Sequence, residues 1–289
     1  MPVPSSPGSA GPTPEVELRR VRVNGIDLDV ATAGRGPAVL LVHGFPHTWR
    51  LWTRVMGDLA ERHRVIAPDL RGLGASSRAA DGYDGETVAQ DLLALLDALG
   101  ETSADVIAID LGTPPAFLMA MRSPARVRRL VLMESLLGTL PGAGEFLAGG
   151  PPWWFGLHSV PGLAEAVLPG NEAAYIDWFL DAGTLGRGVG AGERDAFVSA
   201  YNGSEALRCA FEYYRAMPET AGQIQRAVES ARLRVPTLTV GAHPVGRALE
   251  QQLRPHADDL TGHVIEDCGH IIPLHRPEAL LGLVRPFLA

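Results

Sequence analysis

Residues Asp105 to Met121 read DVIAIDLGTPPAFLMAM. An apolar strand runs straight into Ala108-Ile109-Asp110-Leu111-Gly112 and then into a helix. This is a small-x-acid-x-small elbow. A strand-turn-helix elbow forces its central residue into a strained backbone conformation, so small neighbours are needed to avoid clashes. Asp110 is expected at the carboxyl end of a sheet, where the unpaired N–H groups of a helix start stabilise its anion. Pro114 and Pro115 fit the first helical turn, which lacks intrahelical N–H bonds in any case. Taken alone, the segment also fits an ordinary Asp N-cap.

Outward from the elbow, compact apolar runs recur at Ala38 to Val42, Val65 to Ala67, Val127 to Met133 and Pro236 to Val240, with helical patterns such as Glu86 to Leu99 between them. Strands alternating with helices predict βαβ units and a parallel sheet buried on both faces. The start differs: Glu15 to Val23 and Ile26 to Ala33 flank Asn24-Gly25, a hairpin signal that predicts an antiparallel pair. Between about Leu136 and Ser230 the strand signal gives way to aromatic-rich helical segments broken by Gly and Pro, read as an inserted helical cap. Strand and helix resume at Arg247 to His256, Gly262 to Glu266 and Pro277 to Leu288. The expected layout is a disordered tail at 1–14, a core at 15–135, a cap at 136–230 and the rest of the core at 231–289.

Three further segments carry chemistry. His43-Gly44-Phe45-Pro46 directly follows the strand 38–42, where the Phe45 N–H is placed to meet an oxyanion beside Asp110. His43 itself reads as a turn-stabilising residue. Asp69 to Ser76 (DLRGLGAS) is Gly-rich but lacks any phosphate-loop spacing, and reads as a structural turn. Cys268-Gly269-His270 lies in a late loop, and Glu134 immediately follows the strand 127–133. The corresponding loop after the next strand, Gly241 to Gly246, contains no acid, which leaves Glu134 to orient His270. The resulting chain order is nucleophile Asp110, acid Glu134, base His270.

Composition excludes other classes. The 289 residues are 46% hydrophobic and 20% charged, which rules out a disordered or fibrous chain. The net charge is -8 and the 25 cations, all arginine, are scattered among 33 acids, so no basic stripe for nucleic acid exists. The absence of lysine reads as GC-rich coding, pointing to a bacterial source. Two cysteines, Cys209 and Cys268, are too few and too far apart for a disulfide framework or a zinc site. The N-terminus lacks a signal-peptide pattern and no run is apolar enough to span a bilayer, so a cytoplasmic protein off the membrane is expected.

HGFP, DLRGLGAS, the Asp elbow and the CGH loop together resemble the α/β-hydrolase superfamily, and within it the epoxide hydrolase and dehalogenase branch. The resemblance runs from about Glu15 to Ala289. It implies a mostly parallel sheet flanked by helices and a cap over an apolar pocket, with no metal or organic cofactor. Asp110 would form an alkyl ester that His270 hydrolyses, with the backbone N–H groups of Phe45 and Leu111 as oxyanion hole. Glu212 to Ala216 (EYYRA) resembles the cap segment carrying the family's proton-donating tyrosine. Tyr213 and Tyr214 point about 100° apart on a helix, and Tyr214 is the expected donor. Trp153 to Gly162 (WWFGLHSVPG) resembles the segment with the second donor, assigned to Trp154, and Trp153, His158 and Trp178 are expected to line the substrate site.

Departures from the family narrow the reaction. Many relatives have Trp directly after the nucleophile for halide binding, where this chain has Leu111. Fluoroacetate dehalogenases resemble this chain in the position of their acid, yet Leu111 and Pro114 stand where their carboxylate-binding arginines would be. The acid at Glu134 also departs from many epoxide hydrolases. The expectation is an epoxide hydrolase opening an apolar or aromatic epoxide to a diol. The alternatives are a haloacid or haloalkane dehalogenase using the same Asp110, or a non-hydrolytic member of secondary metabolism. The expected partners are a small apolar substrate and, at most, a second copy of the chain.

Overall fold

The structure, a computed structural model, describes residues 15–289. The expected tail at 1–14 lies outside the described residues. The chain begins with an antiparallel pair, β1 (Glu17–Val23) and β2 (Ile26–Ala33). Asn24 (φ 44°) and Gly25 (φ 79°) join them, both in the left-handed region that a tight two-residue turn demands. There follow β3 (Ala38–Val42), α1 (Thr53–Leu59), β4 (Arg64–Pro68), α2 (Gly85–Ala98), β5 (Ala104–Ile109), α3 (Thr113–Arg122) and β6 (Val127–Met133). Helices α4 (Trp153–Ser159), α5 (Leu163–Val167), α6 (Glu172–Ala182), α7 (Ala191–Ala200), α8 (Ser204–Arg215) and α9 (Met217–Ser230) form an insertion before β7 (Thr237–His243). The chain ends with α10 (Ala248–Leu253), β8 (Leu260–Gly269), α11 (Ile272–His275) and α12 (Pro277–Leu288).

The eight strands form one sheet in the order β1-β2-β4-β3-β5-β6-β7-β8. Pairing is antiparallel from β1 through β2 to β4 and parallel from there on. Every residue of β3 and β5 is buried, as befits central strands covered by helices on both faces. The order of addition reverses at β3: the chain steps outward to β4 and then returns to β5 on the other side. The loops leaving β3 and β5 therefore diverge and open a crevice at their carboxyl ends. Both the 43–46 turn and Asp110 sit there.

Two elements differ in extent from the sequence reading. β8 runs Leu260–Gly269 rather than 262–266, because its outer part alternates in burial as an edge strand and lacks a continuous apolar run. Helix α10 is shorter than 247–256, ending two residues before Pro255, which cannot continue it. The insertion also begins without helix, in turns over 136–152. Among the described residues no helix is long and apolar enough to cross a membrane.

Candidate active site

Asp110 follows the last residue of β5 at φ 55°, a left-handed conformation that a non-glycine residue rarely adopts. The strain is held by close packing behind it. A Cβ on Gly112 would lie 2.5 Å from the His43 carbonyl oxygen, and one on Gly44 would lie 2.2 Å from Asp110 Oδ1. Glycine at both positions lets the β3 and β5 loops approach this closely. The Phe45 N–H donates to Asp110 Oδ1 at 2.8 Å, and the Leu111 N–H also donates to this carboxylate.

The other Asp110 oxygen, Oδ2, faces His270 Nε2 at 3.3 Å. On the far side of the ring, His270 Nδ1 meets Glu134 Oε2 at 3.2 Å. Glu134 is 1% exposed, at φ 43° directly after β6, and its Oε1 accepts the Ala242 N–H at 2.6 Å. Burial lowers the affinity of His270 for its proton, but the hydrogen bonds and charges of Asp110 and Glu134 outweigh it and raise the pKa to about 10. Burial likewise opposes the Asp110 anion, while His270 and the Leu111 N–H hold the carboxyl below its ordinary range.

A cavity of about 630 Å³ opens over this constellation. Asp110, Glu134 and His270 share its floor with His47, and Trp154, Phe155, Trp178, Phe179 and Tyr214 contribute from the insertion. It extends between the starts of α2 and α3 and along α9, past Val88, Pro115 and Ile224. Among the described residues no arginine lines it.

Helix α8 buries Leu207, Ala210, Phe211 and Tyr214, a 3.6-residue stripe that turns Tyr214 inward. Its neighbour Tyr213 also reaches the cavity wall, but its hydroxyl is occupied, donating to the Arg71 carbonyl at 2.9 Å. The phenol of Tyr214 is pushed well up, first by burial and then by the Asp110 charge. Trp154 and Trp178 line the cavity.

Two expectations are corrected. Trp153 is 52% exposed and packs on the outer face against Trp178, with ring centroids 5.1 Å apart, so it does not line the cavity. His158 is fully buried behind the wall, stacked on Phe211 at 4.1 Å with its Nε2 2.5 Å from the Tyr175 hydroxyl. It shares a helix face with Trp154, but Phe211 and Tyr214 seal it from the cavity.

The structural turns behave as their sequences suggest. His43 Nδ1 is 2.9 Å from the Gly44 carbonyl and its Nε2 accepts the Leu70 N–H at 3.3 Å. Asp69 accepts the N–H groups of Trp49 and Ala75, closing the 69–76 turn on itself.

A family model described as alpha/beta hydrolase fold matches residues 37–168. The wild-type Cfl2 structure from Burkholderia cenocepacia is 31% identical, covers 94% of this chain and 95% of its own, and superposes with a TM-score of 0.85. The chain belongs to the α/β-hydrolase fold family. Among curated relatives of this hydrolase, the soluble epoxide hydrolase of Corynebacterium sp. (strain C12) is 28% identical over 95% of this chain and 98% of that protein. The solved epoxide hydrolase CorEH is 25% identical with a TM-score of 0.85, covering 95% of this chain and 99% of its own.

Sequence reasoning missed one residue on the floor of this α/β-hydrolase. His47, directly after HGFP, lines the cavity beside Asp110 and His270 and is 0% exposed. The signal was a titratable side chain continuing the oxyanion turn, which looked like loop sequence.

Proposed function

We propose that this α/β-hydrolase converts an uncharged apolar epoxide to a vicinal diol through an ester on Asp110. The observation that carries the reading is the elbow carboxylate itself, held at 2.8 Å by the Phe45 N–H and 3.3 Å from His270. A serine at this point would attack carbonyl carbon, whereas a carboxylate attacks sp³ carbon. The similarity to enzymes named epoxide hydrolases over nearly the whole chain supports the same substrate class.

In the first half-reaction Asp110 Oδ2 forms a bond to one epoxide carbon. The C–O bond to the ring oxygen breaks, and that oxygen takes a proton from the Tyr214 hydroxyl while the Trp154 indole N–H donates a second hydrogen bond. The insertion thus acts as the cap that supplies the ring-opening donors. Esterification removes the Asp110 charge, one of the two anions that hold the His270 proton. His270 then gives up its proton, through solvent, to the Tyr214 phenolate and becomes a base, still oriented by Glu134.

In the second half-reaction His270 Nε2 removes a proton from water, whose oxygen bonds to the ester carbon of Asp110. Charge builds on Oδ1, to which the Phe45 N–H already donates, with the Leu111 N–H beside it on the same carboxylate. Such a preorganised donor contributes about 3 kcal/mol to the transition state. Collapse breaks the bond to the diol oxygen, which takes the proton from His270, and the second proton of the water passes from the new Asp110 carboxyl to His270, so that Asp110 returns as a carboxylate beside a protonated imidazole.

The arginine-free lining of the cavity favours a neutral substrate over a haloacid, because a buried substrate carboxylate would find no guanidinium, and the imidazolium there, His270, is already shared by Asp110 and Glu134. The test is a panel of styrene oxide, stilbene oxide and phenyl glycidyl ether beside fluoroacetate, chloroacetate and 1-chlorobutane. Diol without halide release is expected. Halide release with no diol would instead assign the dehalogenase reaction.

A further inference from the structure

The insertion grips the turn that carries the Phe45 N–H. The Phe45 ring lies edge-on to His158, Phe179, Tyr201, Phe211 and Tyr214, and all five rings come from the insertion. Tyr201 makes the shortest of these contacts, with centroids 5.1 Å apart, and adds a polar one: its hydroxyl donates to the His47 carbonyl at 2.6 Å. Tyr201 is 0% exposed and does not line the cavity, so its hydroxyl cannot touch a substrate. Any effect of that hydroxyl on the reaction passes through the turn.

The turn leads from Tyr201 to a single peptide group. Tyr201 fixes His47 by its carbonyl, and the His47 N–H donates to the Gly44 carbonyl at 3.0 Å. The Gly44 C=O and the Phe45 N–H are opposite edges of one planar trans peptide, so holding the carbonyl sets the direction of the N–H. That N–H is the one that meets Asp110 Oδ1 at 2.8 Å. A second donor acts on the same carbonyl: His43 Nε2 accepts the Leu70 N–H, which leaves the ring proton on Nδ1, 2.9 Å from the Gly44 oxygen. Donors on a carbonyl also polarise the N–H of its peptide. Tyr201 is itself a fixed post. The Ala200 carbonyl before it accepts from Arg78 Nη2 at 3.0 Å, and Arg78 also bonds the Gly72 and Gly74 carbonyls of the core. Burial pushes the Tyr201 phenol well up, which keeps the proton it donates.

We infer that Tyr201 is a positioning residue for the oxyanion hole, holding the Phe45 N–H on Asp110 Oδ1 from the insertion side, and that its contribution falls on hydrolysis of the ester. In ester formation the Asp110 charge is consumed, so a weaker Phe45 donor does not slow that step. In hydrolysis charge returns to Oδ1 and the aim of the donor sets the rate. The inference rests on the Asp110 ester proposed above and names what holds its oxyanion donor in place.

Rapid-quench mixing of excess enzyme with styrene oxide resolves the two half-reactions by the rise and decay of protein carrying one substrate mass. In Tyr201→Phe, which keeps the ring and removes only the hydroxyl, ester decay should slow by about fivefold or more while ester formation stays within about twofold of the wild type. In that case kcat and KM fall together. A merely structural loss would lower the thermal midpoint without separating the steps. Replacing Tyr201 with p-aminophenylalanine, which returns an N–H donor at the same place, should recover most of the decay rate. The donor is also read without turnover. In ester trapped by His270→Gln, with ¹³C at the aspartate side-chain carboxyls, adding Tyr201→Phe should move the ester carbonyl stretch to higher wavenumber as its hydrogen bond weakens. Tyr201→Leu carries the same measurements if the Phe variant does not fold. Unchanged decay, equal slowing of both steps or an unmoved carbonyl band would each overturn the inference, as would a decay rate that the returned donor does not raise. The trap separates the two levels of argument. If His270→Gln holds ester, the Asp110 reading stands whatever Tyr201 does, and if no ester forms in any variant, that reading falls and the inference with it.

Discussion

His270 Nε2 lies 3.3 Å from Asp110 Oδ2, and the same ring reaches Glu134 through Nδ1, so one imidazole is shared by two carboxylates from different strands. The two carboxylates have different surroundings. Asp110 faces the cavity with about a fifth of its side chain exposed, while Glu134 is sealed and takes a backbone N–H as well. The exposed one is the one a substrate can meet, which on the proposed mechanism makes Asp110 the nucleophile and Glu134 the orienting acid.

Asp110→Ala should therefore abolish diol formation, by on the order of 10³-fold or more in kcat/KM. His270→Gln should open one epoxide per active site and stop, with intact-protein mass spectrometry showing a single substrate adduct. Full activity in Asp110→Ala would remove the carboxylate from the mechanism.

The pH dependence follows from the shared proton. With both carboxylates charged His270 holds its proton up to about 10, and loss of the Asp110 charge in the ester lowers that value. Ester decay should rise with pH through an apparent pKa below 10, and Glu134→Gln should move the rise to still lower pH while reducing the plateau. Stopped-flow decay rates of the trapped ester across pH 5–10 check this, and a pH-independent decay would contradict it.

Stability should respond to pH in opposite senses at the two ends. His270 is more basic folded than unfolded, so its contribution is complete below about pH 6.5 and is lost as pH rises through about 10. His47 and His158 are both held neutral with pKa values of about 3, so the unfolded chain binds more protons between pH 6.5 and 3 and stability falls as pH drops through that range. Each such group contributes up to about 1.4 kcal/mol per pH unit. His158→Phe should flatten the loss of urea midpoint between pH 7.5 and 4.5, and an unchanged slope would show that His158 is not held neutral.

The neighbouring tyrosines should separate cleanly. Tyr214→Phe leaves the fold alone and slows ester formation by about 10²-fold or more, the scale of a general acid. Tyr213→Phe removes the hydrogen bond to the Arg71 carbonyl and should cost about 1 kcal/mol of stability with ester formation little changed. Quench-flow rates and thermal midpoints on both variants distinguish the two, and a reversed pattern would exchange their roles.

Much of this molecule was legible before its structure. β3 and β6 match their sequence boundaries because continuous apolar runs between turn signals leave no other register, and the Asn24-Gly25 turn announced its hairpin through its backbone demands. That Asp110, Glu134 and His270 lie together was legible because the elbow and the strand ends put chemistry-bearing residues at one edge of the sheet. Trp153 and His158 were misplaced because helical spacing gives a residue's face without saying which neighbours cover that face. The place of His47 beside Asp110 and His270 went unread for a related reason: it comes from packing, which loop sequence does not announce.

The central claim is the covalent ester on Asp110. Its most direct test is a single turnover of excess enzyme with an aryl epoxide in ¹⁸O-water, followed by mass spectrometry of the peptide containing Asp110 and of the diol. The mechanism predicts label in the Asp110 carboxylate and none in the diol, because water attacks the ester carbon and the diol leaves with the original carboxylate oxygen. Label in the diol with none in Asp110 would mean that water opens the epoxide directly, and would contradict the account.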